Sequence, residues 1–339
     1  MPSRNGRATL ATVAASAGVS VATVSKVLNG RSDVAQATRA RVQTVLQEHD
    51  YVSSPRRSAA AGRATVQVVF DGDLNAYSTE ILQGVLNTAA EVGVAVAVAM
   101  RGAGPGADRP AAWAHELASA GRRAVIAVTS ELTSTHLTAL SRVHVPLVVI
   151  DPLNKPAARV TSVGSTNFTG GVAATEHLLS LGHRRIGHVG GPATAACSQA
   201  RMHGYFAAMD AGGAEVLPGH VRTGGFLYHD GVVGGAALLD LPRPPTAVFA
   251  GSDETALGVM EAARARGLRV PDDLSVVGFD DTQLARMASP PLTTVRQPLR
   301  QMGSVALRTA LHLASGERVD SHHVELATEL VVRGSTAPA

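Results

Sequence analysis

Residues 17–30 read Ala17-Gly-Val-Ser-Val-Ala-Thr-Val-Ser-Lys-Val-Leu-Asn-Gly30 and indicate the turn and second helix of a helix-turn-helix. Gly18 suits the end of a first short helix within residues 8–17, and Ser20 suits the N-cap of a second helix over residues 21–28. A third helix, from about Gln36 to His49, supplies apolar residues to a shared core. In such a unit the first residues of the second helix meet base edges in the major groove of DNA.

The charge of the chain is unevenly distributed. Residues 1–63 carry nine Lys/Arg against three Asp/Glu, whereas the remaining residues carry 21 basic against 24 acidic side chains. A basic head on a mildly acidic body predicts that one end of the chain meets a polyanion. Charge alone is equally compatible with a small domain solvated by arginine. Residues 53–63, rich in small residues and arginine, have neither an apolar stripe nor strand alternation and are predicted to be a linker.

Beyond the linker, short apolar runs alternate with segments that have apolar residues at helical spacing. The runs are 65–71, 94–100, 124–130, 147–151, 185–190, 247–252 and 274–280. This alternation predicts parallel sheets flanked by helices, and roughly 270 residues favour two sheets over one. The predicted fold is a small all-α helix-turn-helix domain followed by an α/β body of two parallel-sheet subdomains.

Polar residues follow these runs, at the carboxyl ends of the strands, where parallel sheets bind their ligands. Carboxylates, amides and hydroxyls dominate: Asp71, Asp73, Asn75, Tyr77, Arg101, Thr129, Ser130, Asp151, Ser252, Asp253, Asp280 and Asp281. This set suits a ligand rich in hydroxyl groups. Asp and Ser after a strand are also ordinary helix N-caps, and that alternative stays open for each of them.

The helix-turn-helix stretch, with Thr38-Arg39 and Tyr51, resembles the DNA-binding domain of the LacI/GalR family of bacterial transcription regulators. The blocks 182–192, 245–253, 270–281 and 291–298 are similar to the effector-binding domain of that family, which is periplasmic-binding-protein-like. The resemblance implies a sequence-specific regulator, a repressor rather than an enzyme. It also implies a homodimer on a palindromic double-stranded operator, with a small-molecule effector that switches its affinity.

The resemblance also assigns residues to DNA. On or near phosphates it places Thr9, Ser20, Thr23, Ser25, Asn29, Thr38 and Tyr51, and at base edges it places Val21, Ala22 and Lys26. Val21 and Ala22 can touch a thymine methyl, and Lys26 can donate to guanine. The family usually has arginine at the last position, and lysine lacks the rigid bidentate fork.

The linker departs from the family pattern. In the family it forms a hinge helix that inserts a leucine into the minor groove and kinks the DNA. Ala60 occupies the leucine position here, and alanine has too little volume to wedge a base step. We expect Arg56, Arg57 and Arg63 to contact phosphates and this hinge to bend DNA less than the family norm.

Four segments follow from the resemblance: the DNA-binding domain 1–52, the hinge linker 53–64, and two effector subdomains with the ligand in the cleft between them. The first subdomain is expected at 65–163 with 293–319, and the second at 164–292 with 320–335.

The effector contacts are likewise implied by the resemblance. Arg201 holds the effector with Asp253 opposite it, Phe226 and Tyr77 are candidates to cover sugar faces, and Cys197 is a small wall residue rather than a redox sensor. The further expected contacts are Asp71, Asp73, Asn75, Asp151, Asn167 and Gln283. Arg201 could instead be a surface residue of its helix. Several carboxylates beside one arginine would neutralise an anion poorly, so a neutral mono- or oligosaccharide is expected. The stretch 161–171 and the pair Cys197-Ser198 resemble regulators of plant-polysaccharide sugar use.

Two other classes of protein are weighed against this interpretation. A dinucleotide-dependent enzyme is disfavoured because Gly102-Ala-Gly-Pro-Gly106 lacks G-x-G-x-x-G spacing, and no P-loop, nucleophile elbow or zinc motif occurs, so neither cofactor nor metal is expected. A transport-type sugar-binding protein shares such a body but would not carry residues 1–63 and would need an export signal. No apolar run approaches the ~20 residues of a membrane helix. No secretory signal is expected, and the single cysteine fits the cytoplasm.

Overall fold

The computed structural model describes residues 9–28, 34–49, 64–101, 109–153 and 160–339. The head contains α1 (Leu10–Ala17), α2 (Val21–Leu28) and α3 (Gln36–Glu48). The axes of α1 and α2 differ in direction by 98°, and Gly18 between them has a left-handed φ of 63°. Their shared core consists of Val13, Ala14, Ala17, Val24, Val27, Val42 and Val45. The predicted helix-turn-helix is therefore confirmed.

The segment that follows the head alternates strands and helices. The strands are β1 (Thr65–Phe70), β2 (Ala95–Met100), β3 (Arg122–Val128), β4 (Leu147–Ile150), β5 (Thr161–Ser165), β6 (Ile186–Gly190), β7 (Val221–Thr223), β8 (Ala247–Ala250), β9 (Ser275–Asp280), β10 (Thr293–Arg296), β11 (His323–Leu326) and β12 (Glu329–Val331). The helices are α4 (Ala76–Val92), α5 (Pro110–Ser119), α6 (Ser134–Arg142), α7 (Asn167–Ser180), α8 (Ala196–Ala211), α9 (Tyr228–Leu239), α10 (Asp253–Arg264), α11 (Gln283–Met287) and α12 (Leu299–Ser315).

The strands form two six-stranded sheets, as the alternation of apolar runs predicts. The first has the order β11-β5-β4-β3-β1-β2 and is parallel throughout. The second has the order β12-β10-β9-β8-β6-β7 and is parallel except for the antiparallel pair β10–β12. The central strands are buried on both faces, which explains their continuous apolar runs.

Within the described residues the chain crosses between the two sheets three times, after β5, after β10 and after β11. Hydrogen bonds join the crossings: Thr166 N donates to Leu326 O at 3.0 Å, and Thr328 N donates to Thr166 Oγ1 at 3.0 Å. The first subdomain thus carries the first sheet with α12, and the second subdomain carries the second sheet.

The subdomain boundaries differ from the prediction at two places. The return expected at 293–319 begins only at α12, because β10 pairs with β9 in the second sheet. The segment 320–335, expected wholly in the second subdomain, contains β11, which pairs with β5 in the first sheet. Both segments lie beside a crossing, where a shift of a few residues changes the sheet to which a strand belongs.

Three helix pairs pack through reciprocal glycines. In the pair α4–α12, a Cβ on Gly84 would lie 2.0 Å from the carbonyl oxygen of Arg300, and one on Gly303 would lie 2.3 Å from that of Ile81. The same arrangement joins α7 to α8 through Gly171 and Gly204, and α9 to α10 through Gly231 and Gly258. Since the obstructing atom is backbone in every case, the two helix axes can approach this closely only with glycine at these positions.

Among the described residues, no helix by itself is long and apolar enough to span a membrane. The segments Leu10–Ala17 and Val21–Val27 meet that test of length and composition only when joined as one bent pair.

Replacing Gly84 with alanine should destabilise the body. The new methyl group would overlap the Arg300 carbonyl oxygen and force α4 and α12 apart, at a cost of about 1–3 kcal/mol in the free energy of unfolding. Urea unfolding followed by circular dichroism measures this loss. The control is Gln83→Ala on the exposed face of the same helix, for which we expect a change within about 0.5 kcal/mol. Equal midpoints for the two variants would contradict the close approach.

Candidate functional site

The outer face of α2 carries the residues predicted to read bases. Val21 is 45 % exposed, and Ala22 and Lys26 are exposed, whereas Val24 and Val27 face the head core. Ser20 begins the helix by accepting a hydrogen bond at Oγ from the backbone N–H of Thr23, at 3.1 Å. The sequence thus places two small apolar groups and one cation on a single exposed face, which is the arrangement that base-edge contact requires.

The residues predicted at phosphates fall into two groups. Thr9 caps α1 with its side chain, which accepts from Thr12 N at 3.2 Å, and Ser25 and Thr38 are half-buried on α2 and α3. The others lie outside the described residues and stay predictions: Asn29, Tyr51, Arg56, Arg57 and Arg63. Ala60, at the leucine position of the hinge, also lies outside them.

Arg201 lies at the centre of a second candidate site, at the carboxyl end of the second sheet. Its Nε donates to Asn167 Oδ1 at 2.8 Å, and its Nη1 donates to the Gly251 carbonyl oxygen at 2.6 Å. The guanidinium carbon lies 3.8 Å from the centroid of the Phe279 ring. Arg201 is only 3 % exposed, so the alternative of a surface arginine is wrong.

Asp280 faces Arg201. It is one of the polar residues predicted at strand ends, but it is not among the effector contacts that the resemblance implies. Its Oδ1 lies 3.8 Å from Arg201 Nη1 and accepts a hydrogen bond from Gln297 Nε2 at 2.6 Å. Burial raises the pKa of Asp280 well above its ordinary value, while the charge of Arg201 opposes that rise. Gln297 Oε1 in turn accepts from Ser165 Oγ at 2.5 Å. Ser165 ends β5 at the first crossing and Gln297 follows β10 at the second, so Gln297 links the Asp280 carboxyl to both crossings.

Asp151 and Tyr77 contribute to the cluster from the first subdomain. The Tyr77 hydroxyl donates to Asp151 Oδ2 at 2.5 Å. This hydrogen bond holds the ring that is expected to cover a sugar face. Burial raises the pKa of Asp151, and the hydrogen bond from Tyr77 and the charge of Arg201 oppose the rise. Because burial also raises the pKa of the Tyr77 phenol well above its ordinary value, this group stays a donor.

Phe226 and Cys197 are the two remaining residues expected to contact the effector near Arg201. The Phe226 ring centroid lies 5.4 Å from the guanidinium carbon of Arg201, and the ring packs directly on Gly191, where a Cβ would lie 2.2 Å from it. Cys197 is buried, and burial raises the pKa of its thiol to about 11. The thiol is therefore protonated near pH 7, and a thiolate is the form that a reactive cysteine requires. That Cys197 lines the effector site stays a prediction.

Four non-glycine residues at strand ends, two of them in the cluster, have positive φ values. Thr129, Asp151, Asp280 and Asp281 have φ values of 47°, 43°, 119° and 55°, and each lies at the carboxyl end of a strand. Non-glycine residues adopt such conformations at a cost of about 1–3 kcal/mol, and they concentrate at functional sites.

Two contacts bridge the cleft directly. Glu254 of the second subdomain accepts at Oε1 from Ala76 N, in the first turn of α4, at 3.3 Å. Ala196 N, at the start of α8, donates to the Leu153 carbonyl oxygen at 3.2 Å. The structure therefore shows the two subdomains in contact around the cluster.

Asp253, predicted opposite Arg201, does not join the cluster. It is fully buried, its Oδ2 accepts from Thr282 N at 2.7 Å and Thr282 Oγ1 at 2.9 Å, and its Oδ1 accepts from Thr294 Oγ1 at 2.6 Å. Burial raises the pKa of Asp253 to about 7, against these three hydrogen bonds. Its contacts tie α10 to the loop after β9 and to β10, which is a structural role.

Four other predicted contacts also lie apart from the cluster within the described part of the chain. Asp71 forms an ion pair with Arg101 through both oxygens. Asn75 caps α4 by accepting from Ser78 N at 2.9 Å, which is the helix-cap alternative weighed above. Asp73 and Gln283 are exposed, with no hydrogen bond to the cluster.

The cluster offers hydrogen-bonding groups of both kinds around one buried cation. Asp151 and Asp280 can accept from hydroxyl groups, and Arg201 and Tyr77 can donate. Phe226 presents an aromatic face beside them. Across the described ranges, no group of three or more His, Cys, Asp or Glu has an arrangement that could hold a metal ion.

Comparison with known proteins agrees with the two kinds of domain. Residues 9–54 match the family described as bacterial regulatory proteins, lacI family, and residues 175–336 match a periplasmic binding protein-like domain. The transcriptional repressor CytR of Escherichia coli strain K12 is 33 % identical over 341 residues, which cover 97 % of this chain and 96 % of CytR.

Two solved structures are similar over nearly the whole chain. The transcriptional regulator CelR in complex with cellobiose is 34 % identical, with a TM-score of 0.72 over 97 % of this chain and 100 % of that one. The lac repressor dimer bound to operator and the anti-inducer ONPF is 26 % identical, with a TM-score of 0.71 over 98 % of this chain and 100 % of that one.

The relatives are regulators of transcription. This finding removes the two alternatives, a dinucleotide-dependent enzyme and a transport-type sugar-binding protein. The chain is a DNA-binding transcription regulator, and with full-length relatives above 30 % identity it belongs to the lacI family of bacterial regulatory proteins.

Proposed function

We propose that this regulator represses transcription in the cytoplasm as a homodimer on a palindromic operator, and that a neutral mono- or oligosaccharide bound between the subdomains changes its affinity for DNA. The observation that carries the proposal is the buried cluster of Arg201, Asp280, Asp151 and Tyr77. It draws on both subdomains, so a ligand that contacts all four groups favours one arrangement of the subdomains over another.

The chemistry of the cluster supports a neutral polyol. A carboxylate accepts two hydrogen bonds in one plane, as two adjacent sugar hydroxyls require, and an aromatic ring covers the apolar face of a pyranose. An anionic effector would meet two carboxyl groups with one guanidinium to offset them. The solved relative that holds cellobiose supports an oligosaccharide of the same general kind.

The DNA contacts follow from the exposed face of α2. Val21 and Ala22 contact thymine methyl groups, and Lys26 donates to guanine, while the surrounding hydroxyl side chains contact phosphates. One head covers only half of a palindrome, so a two-fold dimer doubles the contacts. The lac repressor, solved as a dimer on its operator, supports this assembly.

The link between the two sites runs through the crossings. Asp280 is joined to Gln297 and through it to Ser165, so a ligand that displaces the carboxyl also changes the hydrogen bonds at two crossings. The effect on operator affinity is limited by the difference in ligand affinity between the two arrangements, ordinarily ~1–3 kcal/mol.

Lys26→Ala should weaken specific DNA binding more than non-specific binding. The loss of a base contact costs about 1–3 kcal/mol for the specific site alone. The operator, selected from a library of random duplexes, and a scrambled duplex are titrated at several salt concentrations. Arg41→Ala, an exposed arginine on α3, is the control. Equal losses on both duplexes would remove Lys26 from the base-reading set.

Ala60→Leu should increase the bend of the bound operator. A leucine at this position has the volume to wedge a base step, and the native alanine does not. Circular-permutation gel shifts compare the two proteins on the same operator. A sharp central kink already present with the native chain would contradict the proposed weak bending.

A neutral sugar should raise the melting temperature of the native protein, and Arg201→Lys should abolish that rise. Saturation at 100 times the Kd stabilises by about 2.7 kcal/mol, and lysine cannot reproduce the bonds to Asn167 and Gly251. A thermal-shift panel of neutral pentoses, hexoses and β-linked disaccharides, cellobiose among them, measures this, with sugar phosphates as anionic counterparts.

The control for that experiment is Arg264→Ala, an exposed arginine paired with Glu261, which should keep the full sugar response. Operator affinity of Arg201→Lys without sugar should stay within about two-fold of native. A sugar response retained by Arg201→Lys, or a response only to sugar phosphates, would show that the effector site is misassigned.

A further inference from the structure

His188 has a buried ring nitrogen without a partner. It lies in β6 and is completely buried, with its ring stacked on Tyr205 at 5.4 Å and tilted against Phe249 at 4.9 Å, centroid to centroid. Its Nδ1 lies 2.9 Å from the Phe249 carbonyl oxygen. Its Nε2 is buried and has no hydrogen-bond partner among the described residues.

The contact with Phe249 determines the tautomer. A carbonyl oxygen only accepts, so Nδ1 carries the proton and Nε2 presents its lone pair. Burial lowers the pKa of His188 to about 4, and the charge of Arg201 acts in the same direction, so the ring is neutral near pH 7. Nε2 is therefore an acceptor that requires a donor, because a buried acceptor without a hydrogen bond destabilises the protein.

The position of Nε2 shows from which side a donor reaches it. A Cβ on Gly190 would lie 2.8 Å from Nε2 and 3.6 Å from Ser198 Oγ, so the atom lies beneath the last residue of β6. Tyr205 and Phe249 pack against the imidazole ring, and the residue next to Nε2 is Gly190, which has no side chain. Gly191, the next residue, is the one on which Phe226 packs. Nε2 is thus buried beneath a glycine at the carboxyl end of the second sheet, the end at which Arg201 also lies.

We propose that His188 Nε2 is an acceptor at the floor of the effector cleft, which takes a hydrogen bond from a hydroxyl of the bound sugar, directly or through one water held beside Ser198 Oγ. This inference rests on the proposed sugar-binding function and extends it to a specific contact. The donor is a neutral hydroxyl. An ammonium group would approach the Arg201 cation, and a deprotonated anion has no hydrogen to donate.

The contact allows the cleft to discriminate between sugars that differ at one hydroxyl group. The desolvation of Nε2 is already present in the free protein, so a ligand hydroxyl that reaches it gains a hydrogen bond without that cost. A deoxy analogue leaves the acceptor unpaired and loses binding. Sugars that differ only at this hydroxyl are therefore separated by affinity.

The first test compares His188→Phe with His220→Phe. His220 is 2 % exposed, and its Nε2 lies 2.9 Å from the Arg243 carbonyl oxygen, so both variants lose one ring contact to a carbonyl in the same subdomain. For the sugar that stabilises the native protein most, calorimetry should show a Kd at least about ten-fold weaker for His188→Phe and within about three-fold of native for His220→Phe. Equal affinities of native protein and His188→Phe would overturn the inference and leave the sugar-binding function intact.

The second test uses the native protein, so its result does not depend on whether a variant folds. Long-range 1H–15N spectra of histidine-labelled protein should show His188 protonated at Nδ1, with Nε2 in a hydrogen bond. If water is the donor, that signature is present without sugar, and if the sugar is the donor, it develops on addition of the stabilising sugar. A proton on Nε2, or an Nε2 without a hydrogen bond in both states, would refute the proposal.

Failure of the proposed sugar-binding function can be distinguished from failure of the proposed His188 contact. If no sugar stabilises the native protein, the proposed function fails, and the sugar-free spectrum alone decides whether Nε2 binds a water. Nε2 without a hydrogen bond in that spectrum would then refute the acceptor site as well.

Discussion

The position of the Arg201 guanidinium is the constraint around which the cleft is built. A cation with 3 % exposure is tolerated only when its charge and its donors are matched, and here Asn167, the Gly251 carbonyl and Asp280 match them. That position depends on the helix pair α7–α8. A Cβ on Gly171 would lie 2.3 Å from the carbonyl oxygen of Arg201, so the backbone of this residue sits directly against α7. A glycine on one helix thus sets the location of the charge on the other.

The crossings bring the sensing groups close to the points where the subdomains join. Asn167 begins α7 immediately after the first crossing, and Gln297 lies in the second. Both contact the Arg201–Asp280 pair, the first through Arg201 Nε and the second through Asp280 Oδ1. A ligand that reorganises this pair therefore acts on the segments whose backbone must rotate when the cleft changes shape, and no long chain of intermediaries is required.

Much of the fold could be predicted from the sequence, because most interior strands are buried on both faces and read as apolar runs. The interior strands β5 and β10 do not, since serine and threonine make up most of β5 and half of β10. The short edge strand β7 could not be predicted, since it has no fully buried residue and only three residues. The site was harder to predict. Asp253 and Asp280 both follow apolar runs, but only their tertiary partners decide which one is enclosed by threonine hydroxyls and which one faces a guanidinium. His188 lies inside an apolar run, and nothing in the sequence separates it from a core histidine.

The return of the chain to the first subdomain has a consequence for biosynthesis. The core of that subdomain contains Leu299, Met302, Ala306, Leu307 and Ala310, all of which lie on α12. These residues leave the ribosome after nearly all of the second subdomain has been made. The five strands β1–β5 must therefore persist as an incomplete layer, with an apolar face that α4 covers only in part, throughout translation of the middle of the gene. Nascent chains of this architecture are thus exposed to aggregation and to chaperone capture until the last tenth of the polypeptide is available.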